Sequence, residues 1–200
     1  GLRLLAKEPQ TDKARDLLPL MRASVHRMSD LIGNIMLHAK NRLGGGIRVN
    51  AEPDAPLSQA ITHVVGEIRS AFPEREIALD LSITRPVHCD AARVAQAVSN
   101  LVSNAVQHGQ EGAPIAVRAV TDAQGVTVRV ANQGEALPEE MRQQLFQPFQ
   151  RGNRESGGGL GLGLYIAGSI ADAHGGRIEV DCADGTTTFT IALPDPVAPT

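Results

Sequence analysis

The chain has 200 residues, room for one good-sized domain or a domain with a helical appendage, and its 42% apolar content excludes a disordered chain. Four Phe, one Tyr and no Trp argue against the stacking surfaces of nucleic-acid and carbohydrate binders, so no nucleic-acid partner is expected. The net charge of -3 is unevenly spread: residues 1–50 carry nine Lys/Arg against four Asp/Glu, and residues 51–200 carry ten Arg against eighteen acids. Lys40 is the last lysine, which excludes lysine-built phosphate sites from the larger part. Cys89 and Cys182 are too few for a disulfide scaffold and lack zinc-site spacing, so both read as buried free thiols. No apolar run approaches the about 18 residues that span a bilayer, and neither a leader peptide nor membrane contact is expected of these residues.

Residues 1–7 read as a short helical end, 8–10 as a turn, and Thr11 or Asp12 as an N-cap. Leu17, Met21, Val25, Met28, Leu31, Ile32, Ile35 and Ala39 then recur at helical spacing, with Pro19 expected to kink or restart the helix. A single long helix and a stub cannot bury such a stripe. Residues 1–43 are therefore expected to form a helical hairpin that dimerises into a four-helix bundle. Gly44, Gly45 and Gly46 serve as the hinge.

The remainder alternates between strand and helix patterns. Strands are expected at 47–50, 77–83 and 87–89, with helices at 57–71 and 91–108. A hairpin spans 115–120 and 126–130, helices follow at 138–145 and 160–174, and a second hairpin at 178–182 and 187–193 closes the fold. The order implies an α+β two-layer sandwich over 47–194, one mixed sheet with helices on one face, and a tail at 195–200.

Three segments carry chemistry. On the helix at 91–108, Arg93, Gln96, Asn100, Asn104, Gln107 and His108 share a polar side, while Val94, Val98, Leu101, Val102 and Ala105 face the core. Asparagine is a poor helix former, and Asn100 and Asn104, one turn apart, could offer neutral oxygens to a magnesium ion whose remaining charge comes from phosphates. The run Gly157-Gly158-Gly159-Leu160-Gly161-Leu162-Gly163 leads into an apolar helix, whose start offers free amides to an anion. Arg151 and Arg154 stand just upstream, placed to do for a triphosphate what lysine does elsewhere. Asn132-Gln133-Gly134 leaves a strand where a polar side chain could meet a base edge.

In this order the segments resemble one family. Asn100-Leu-Val-Ser-Asn104-Ala resembles the asparagine box of bacterial sensor histidine kinases, and Asn132-Gln-Gly134 their first glycine box. Phe146-Gln-Pro-Phe149 resembles the phenylalanine box, and residues 157–163 with Leu164-Tyr165-Ile166 the second glycine box. The resemblance implies the GHKL ATP-binding fold behind a partial dimerisation and phosphotransfer hairpin. ATP and Mg2+ are the implied cofactors, with Asn104, and Asn100 beside it, as metal ligands. It implies nucleotide contacts from Gln107, His108, Asn132, Gly134, Arg151, Arg154, Gly157, Gly159, Leu160, Gly161, Gly163, Leu164 and Thr187. Phosphate would pass from ATP to a histidine on the hairpin and then to an aspartate of a response-regulator receiver domain. The same resemblance implies an upstream sensor domain and a cytoplasmic location, and leaves a membrane anchor of the full-length protein open.

Departures from the family pattern also shape the expectations. None of the six histidines is followed by an acid, Arg and Pro, so the phosphoacceptor is absent, and the chain is expected to be a piece of something longer that does not phosphorylate itself. Asn132 stands where an aspartate is usual, and Ala136 where a glycine is usual. An asparagine amide free to turn over could donate to the guanine carbonyl, so the base pocket is expected to be less selective than one with aspartate.

Overall fold

The computed structural model describes residues 47–135, 137–142, 144–149 and 161–195, together with helical Met21, Ser24, Val25 and Met28. Met21, Val25 and Met28 are 46–54% exposed in the single chain. The rest of the expected hairpin, the hinge at 44–46, Ala136 and the residues beyond Asp195 lie outside the described residues.

Five strands form one mixed sheet in the order β1-β2-β3-β5-β4. They are β1 (Ile77–Ser82), β2 (Ile115–Asp122), β3 (Gly125–Gln133), β4 (Arg177–Ala183) and β5 (Thr186–Pro194). The first pair is parallel and the other three antiparallel. Strict alternation buries Val126, Val128, Val130, Phe189, Ile191 and Leu193 on one face. The other face is polar: Asp80 pairs with Arg118 at 3.1 Å and Arg177 with Glu179.

Helices cover the buried face. α1 (Leu57–Ala71) turns Leu57, Ile61, Val65 and Ile68 inward at three- and four-residue steps. α2 (Ala91–His108) lies between α1 and α4 (Gly163–Ala173) and crosses β2 and β3. A fourth, α3, is a single turn at Glu139–Arg142. Gly168 lets α4 approach β4 closely, since a Cβ there would lie 3.4 Å from Ile178 Cγ2 and 3.9 Å from Phe146 Cβ.

Four local expectations are corrected. No strand forms at 47–50; instead Glu52 makes one antiparallel bridge with Cys89, which is also all that remains of the strand at 87–89. Asp54, with a left-handed φ of 59°, turns the chain out of this ladder. The helix at 138–145 shrinks to four residues because the chain turns to seat Phe146 edge-on against Phe189, with ring centroids 6.4 Å apart. The last helix begins at Gly163 rather than 160, since Gly161 takes a left-handed φ of 67° that no helix continues. Asp195, expected to open the tail, is held by Gln124 and by Arg85 at 3.0 Å, directly after Pro194 pairs with Gly125 in β5.

Candidate functional site

The site forms where the second half of α2, the end of β3, Thr187 of β5 and the start of α4 converge. Asp90 begins α2 as its N-cap, its Oδ1 accepting from Arg93 N and its Oδ2 from Asn50 N, both at 3.0 Å. Asp90 N in turn donates to His174 Nε2 at 3.0 Å, while His174 Nδ1 lies 2.8 Å from Ile170 O. That pairing fixes the neutral tautomer with the proton on Nδ1. The preceding Cys89 is buried, and burial, with Asp90 adding to it, pushes its thiol up to about 11. Neither group is poised for chemistry. This end of α2 is structural.

The other end differs. Asn100 is almost completely buried, and its Nδ2 has no hydrogen-bond partner among the described residues. Its Oδ1 would lie 3.7 Å from a Cβ on Gly163, so the asparagine faces the first residue of α4. Asn104 follows one turn later and is half-buried, while Gln107 and His108 are exposed at the last turn. No side chain caps the start of α4. Leu164 sends its side chain into the core, so only its backbone N–H, in the first turn, can meet a ligand. Phe149 N donates to Gly161 O at 3.0 Å, joining the phenylalanine segment to the residues just before α4. Arg151, Arg154, Gly157, Gly159 and Leu160 lie outside the described residues.

On the sheet, register places Asn132 opposite Thr187, and both are buried on the helix side. Thr187 Oγ1 lies 3.6 Å from Cys182 Sγ, so this cysteine is half-buried beside the site, whereas Cys89 is at its far end. Asn132 Nδ2 donates to Gln133 O at 3.1 Å. This corrects the expectation of a freely turning amide: a backbone carbonyl accepts only from the amide nitrogen, so Oδ1 is the atom presented outward. Gly134 N donates to Gly185 O, and a Cβ at Gly134 would lie 3.3 Å from His108 O.

Sequence reading missed one side chain. Arg75, from the turn between α1 and β1, reaches under the site and donates to four carbonyls at the end of α2. Nothing in its sequence neighbourhood, Pro73-Glu74-Arg75-Glu76, marks it. Among the described residues no group of three His, Cys, Asp or Glu could hold a metal. The unpartnered Asn100 amide, beside the uncapped start of α4, fits a bound group that supplies oxygens of its own.

A mixed sheet roofed on one face by helices, with asparagines facing a glycine-opened helix, defines a nucleotide-binding α/β sandwich. Residues 89–197 match the family described as histidine kinase-, DNA gyrase B-, and HSP90-like ATPase, and the chain belongs to that family. A bacteriophytochrome of Pseudomonas aeruginosa is 39% identical over 86% of this chain and 24% of its own length. The probable sensor histidine kinase TcrY of Mycobacterium tuberculosis is 32% identical over 86% of this chain and 36% of its own. A structure of full-length ShkA in complex with AMPPNP is 25% identical with a TM-score of 0.67, covering all of this chain and 43% of that one. The chain thus spans between about a fifth and about a half of the length of curated relatives it matches.

Proposed function

We propose that this chain is the ATP-binding core of a sensor histidine kinase. It binds Mg-ATP and passes the γ-phosphate to a histidine on a dimerisation helix, for relay to an aspartate of a response-regulator receiver domain. The observation that carries the reading is the meeting of Asn100 with the glycine start of α4, with a buried amide left over for a ligand. AMPPNP, held by the ShkA relative, is an ATP analogue.

In this reading Asn104, with Asn100 beside it, holds magnesium, which supplies neutralising charge to the phosphates when bound. The backbone N–H groups of Gly163 and Leu164 point their helix dipole at the phosphates, and Gly161 gives the backbone close approach. Arg151, Arg154, Gly157, Gly159 and Leu160 belong to the nucleotide contacts in this reading, the arginines by their charge and the glycines by their lack of a side chain. Gln107 and His108 flank the nucleotide from the exposed last turn of α2. Asn132 offers Oδ1 to the adenine amino group, Thr187 adds a hydroxyl next to it, and Gly134 leaves room for the ring. The work of these residues is positioning and exclusion of water.

The exposed apolar Met21, Val25 and Met28 support pairing of two copies through residues 1–43. We assign an upstream sensor domain and a cytoplasmic location from the same family logic. Lacking a histidine in the acceptor motif, the chain should not phosphorylate itself, and a supplied helix bearing that motif should restore transfer.

The test is an ATP titration with and without magnesium on the wild type and on Asn104→Ala. Wild-type affinity should rise with magnesium, and the substitution should remove most of that gain, about tenfold or more. Equal affinities in all four measurements would overturn the reading.

A further inference from the structure

α2 ends abruptly. Its C-cap, Gly109, has φ -68° and ψ 151°, so the chain turns extended at once instead of closing through a left-handed residue. Only Gly109 N returns to the helix, bonding Ala105 O at 2.8 Å. The carbonyls that a left-handed cap would satisfy are left over.

Arg75 takes up Val106 O, shares Ala105 O with Gly109 N, and goes on to the carbonyls of the turn beyond the helix. Its Nη2 donates to Ala105 O, Val106 O and Gly109 O at 3.0–3.2 Å, and its Nη1 to Gln110 O at 2.9 Å. The side chain is 9% exposed, and no carboxylate among the described residues forms an ion pair with it. Its Nε is buried without a partner. Burying a guanidinium without a counter-ion is costly, and the negative end of the α2 dipole is what offsets that cost.

The segment fixed in this way is in direct contact with β3. Gln110 N donates to Gln133 O at 2.7 Å. A Cβ on Gly109 would strike Ala105 O at 2.5 Å, and would lie 3.1 Å from Arg75 Nη2 and 3.3 Å from Asn132 Cβ. Arg75 Nη2 and Asn132 Cβ therefore both border the space beside Gly109 that a side chain would fill, so the guanidinium and the asparagine share one packed contact at this turn.

We propose that Arg75 is a positioning residue for nucleotide recognition, holding the end of α2 so that Asn132 and Gly134 present the correct wall to the base. This rests on the ATP-binding reading above. Lysine at the same position would keep the charge at the helix end, but a single ammonium cannot span four carbonyls as the planar fork does.

The experiment compares wild type, Arg75→Lys and Arg75→Gln by thermal melting and by competition binding of ATP and GTP, with and without magnesium. In the folded variants ATP should bind about five- to twenty-fold more weakly, with a reduced preference for ATP over GTP. The ratio of affinities with and without magnesium should persist. Arg75→Lys should recover melting temperature more fully than it recovers ATP preference, a split that a purely structural role would not produce. ATP affinity and preference within twofold of wild type in the folded variants would overturn the proposal. So would loss of the fold in both variants, which would make Arg75 a requirement of folding instead. A wild type that binds no nucleotide would instead sink the ATP-binding reading on which the proposal stands.

Discussion

α2 and α4 lie side by side on the same sheet, yet their ends are finished in opposite ways. α2 is closed at both: Asp90 accepts from its first turn, and Arg75 gathers the carbonyls of its last. α4 is closed only at its C-terminal end, where His174 N bonds Ile170 O and Ala171 O and its ring bonds Ile170 O again. Its first turn follows Leu162, a buried apolar residue with no capping oxygen. A helix finished at both ends serves the fold. One left open at its N-terminus, beside a buried asparagine amide with nothing to bond, keeps donors for a ligand.

The sharpest way to break this comparison is to remove the cap from the closed helix. Asp90→Ala deletes the acceptor of both Arg93 N and Asn50 N, and should lower stability by about 1–2 kcal/mol. That loss should appear as a fall of about 2–8 °C in Tm, with Mg-ATP affinity within twofold of wild type. An affinity loss without a Tm change would show that the N-terminal end of α2 belongs to the site.

The reverse pattern is expected at the open helix. At Gly163 a Cβ would meet only Asn100, at the ordinary contact distance of 3.7 Å. Gly163→Ala should leave Tm unchanged or raise it slightly, because alanine favours helix by up to about 1 kcal/mol. It should weaken Mg-ATP binding about three- to tenfold by crowding the asparagine and the backbone approach to phosphate. A lower Tm with affinity intact would refute the division between the two helix starts.

A smaller effect separates the pinned amide from a free one. Asn132→Asp adds a charge-assisted bond to adenine but sets a carboxylate against Gln133 O where Nδ2 now donates, and the two changes offset. The preference for ATP over GTP should therefore shift by less than about threefold, as competition binding would measure. A large gain in preference would mean that the amide turns over in solution.

The smallest effect concerns Cys89, at the start of α2. A helix N-terminus ordinarily favours a thiolate, yet burial and the neighbouring Asp90 push this thiol up to about 11. The folded chain keeps a proton that the unfolded chain releases at lower pH. Stability from this group is therefore complete below the ordinary thiol range and is lost as pH rises toward 11. Cys89→Ala should flatten the alkaline limb of a Tm-against-pH curve. In native protein near neutral pH, alkylation should reach half-buried Cys182 before Cys89.

Much of this protein was legible along the chain. The alternation of β2, β3 and β5 and the three-and-four spacing in α1 and α2 each state a local preference that the fold accepts. The asparagine pair was visible because two poor helix formers one turn apart on a helix need a reason. Where local reading failed, a distant residue or a backbone angle decided. The left-handed Asp54 turned the chain out of a ladder after a single bridge, and the left-handed Gly161 set where α4 could begin. The orientation of the Asn132 amide depended on which carbonyl stood within reach, which composition cannot show.

Arg75 marks the limit most clearly. Its four acceptors lie 30–35 residues ahead in sequence, and none of them is a side chain. Periodicity reports which face of a helix is apolar, because that depends on residues a few positions apart. It cannot report who completes the hydrogen bonds at the end of the helix. Backbone carbonyls carry no sequence signature, and only the packing of α1 and β1 against α2 brings the guanidinium to them.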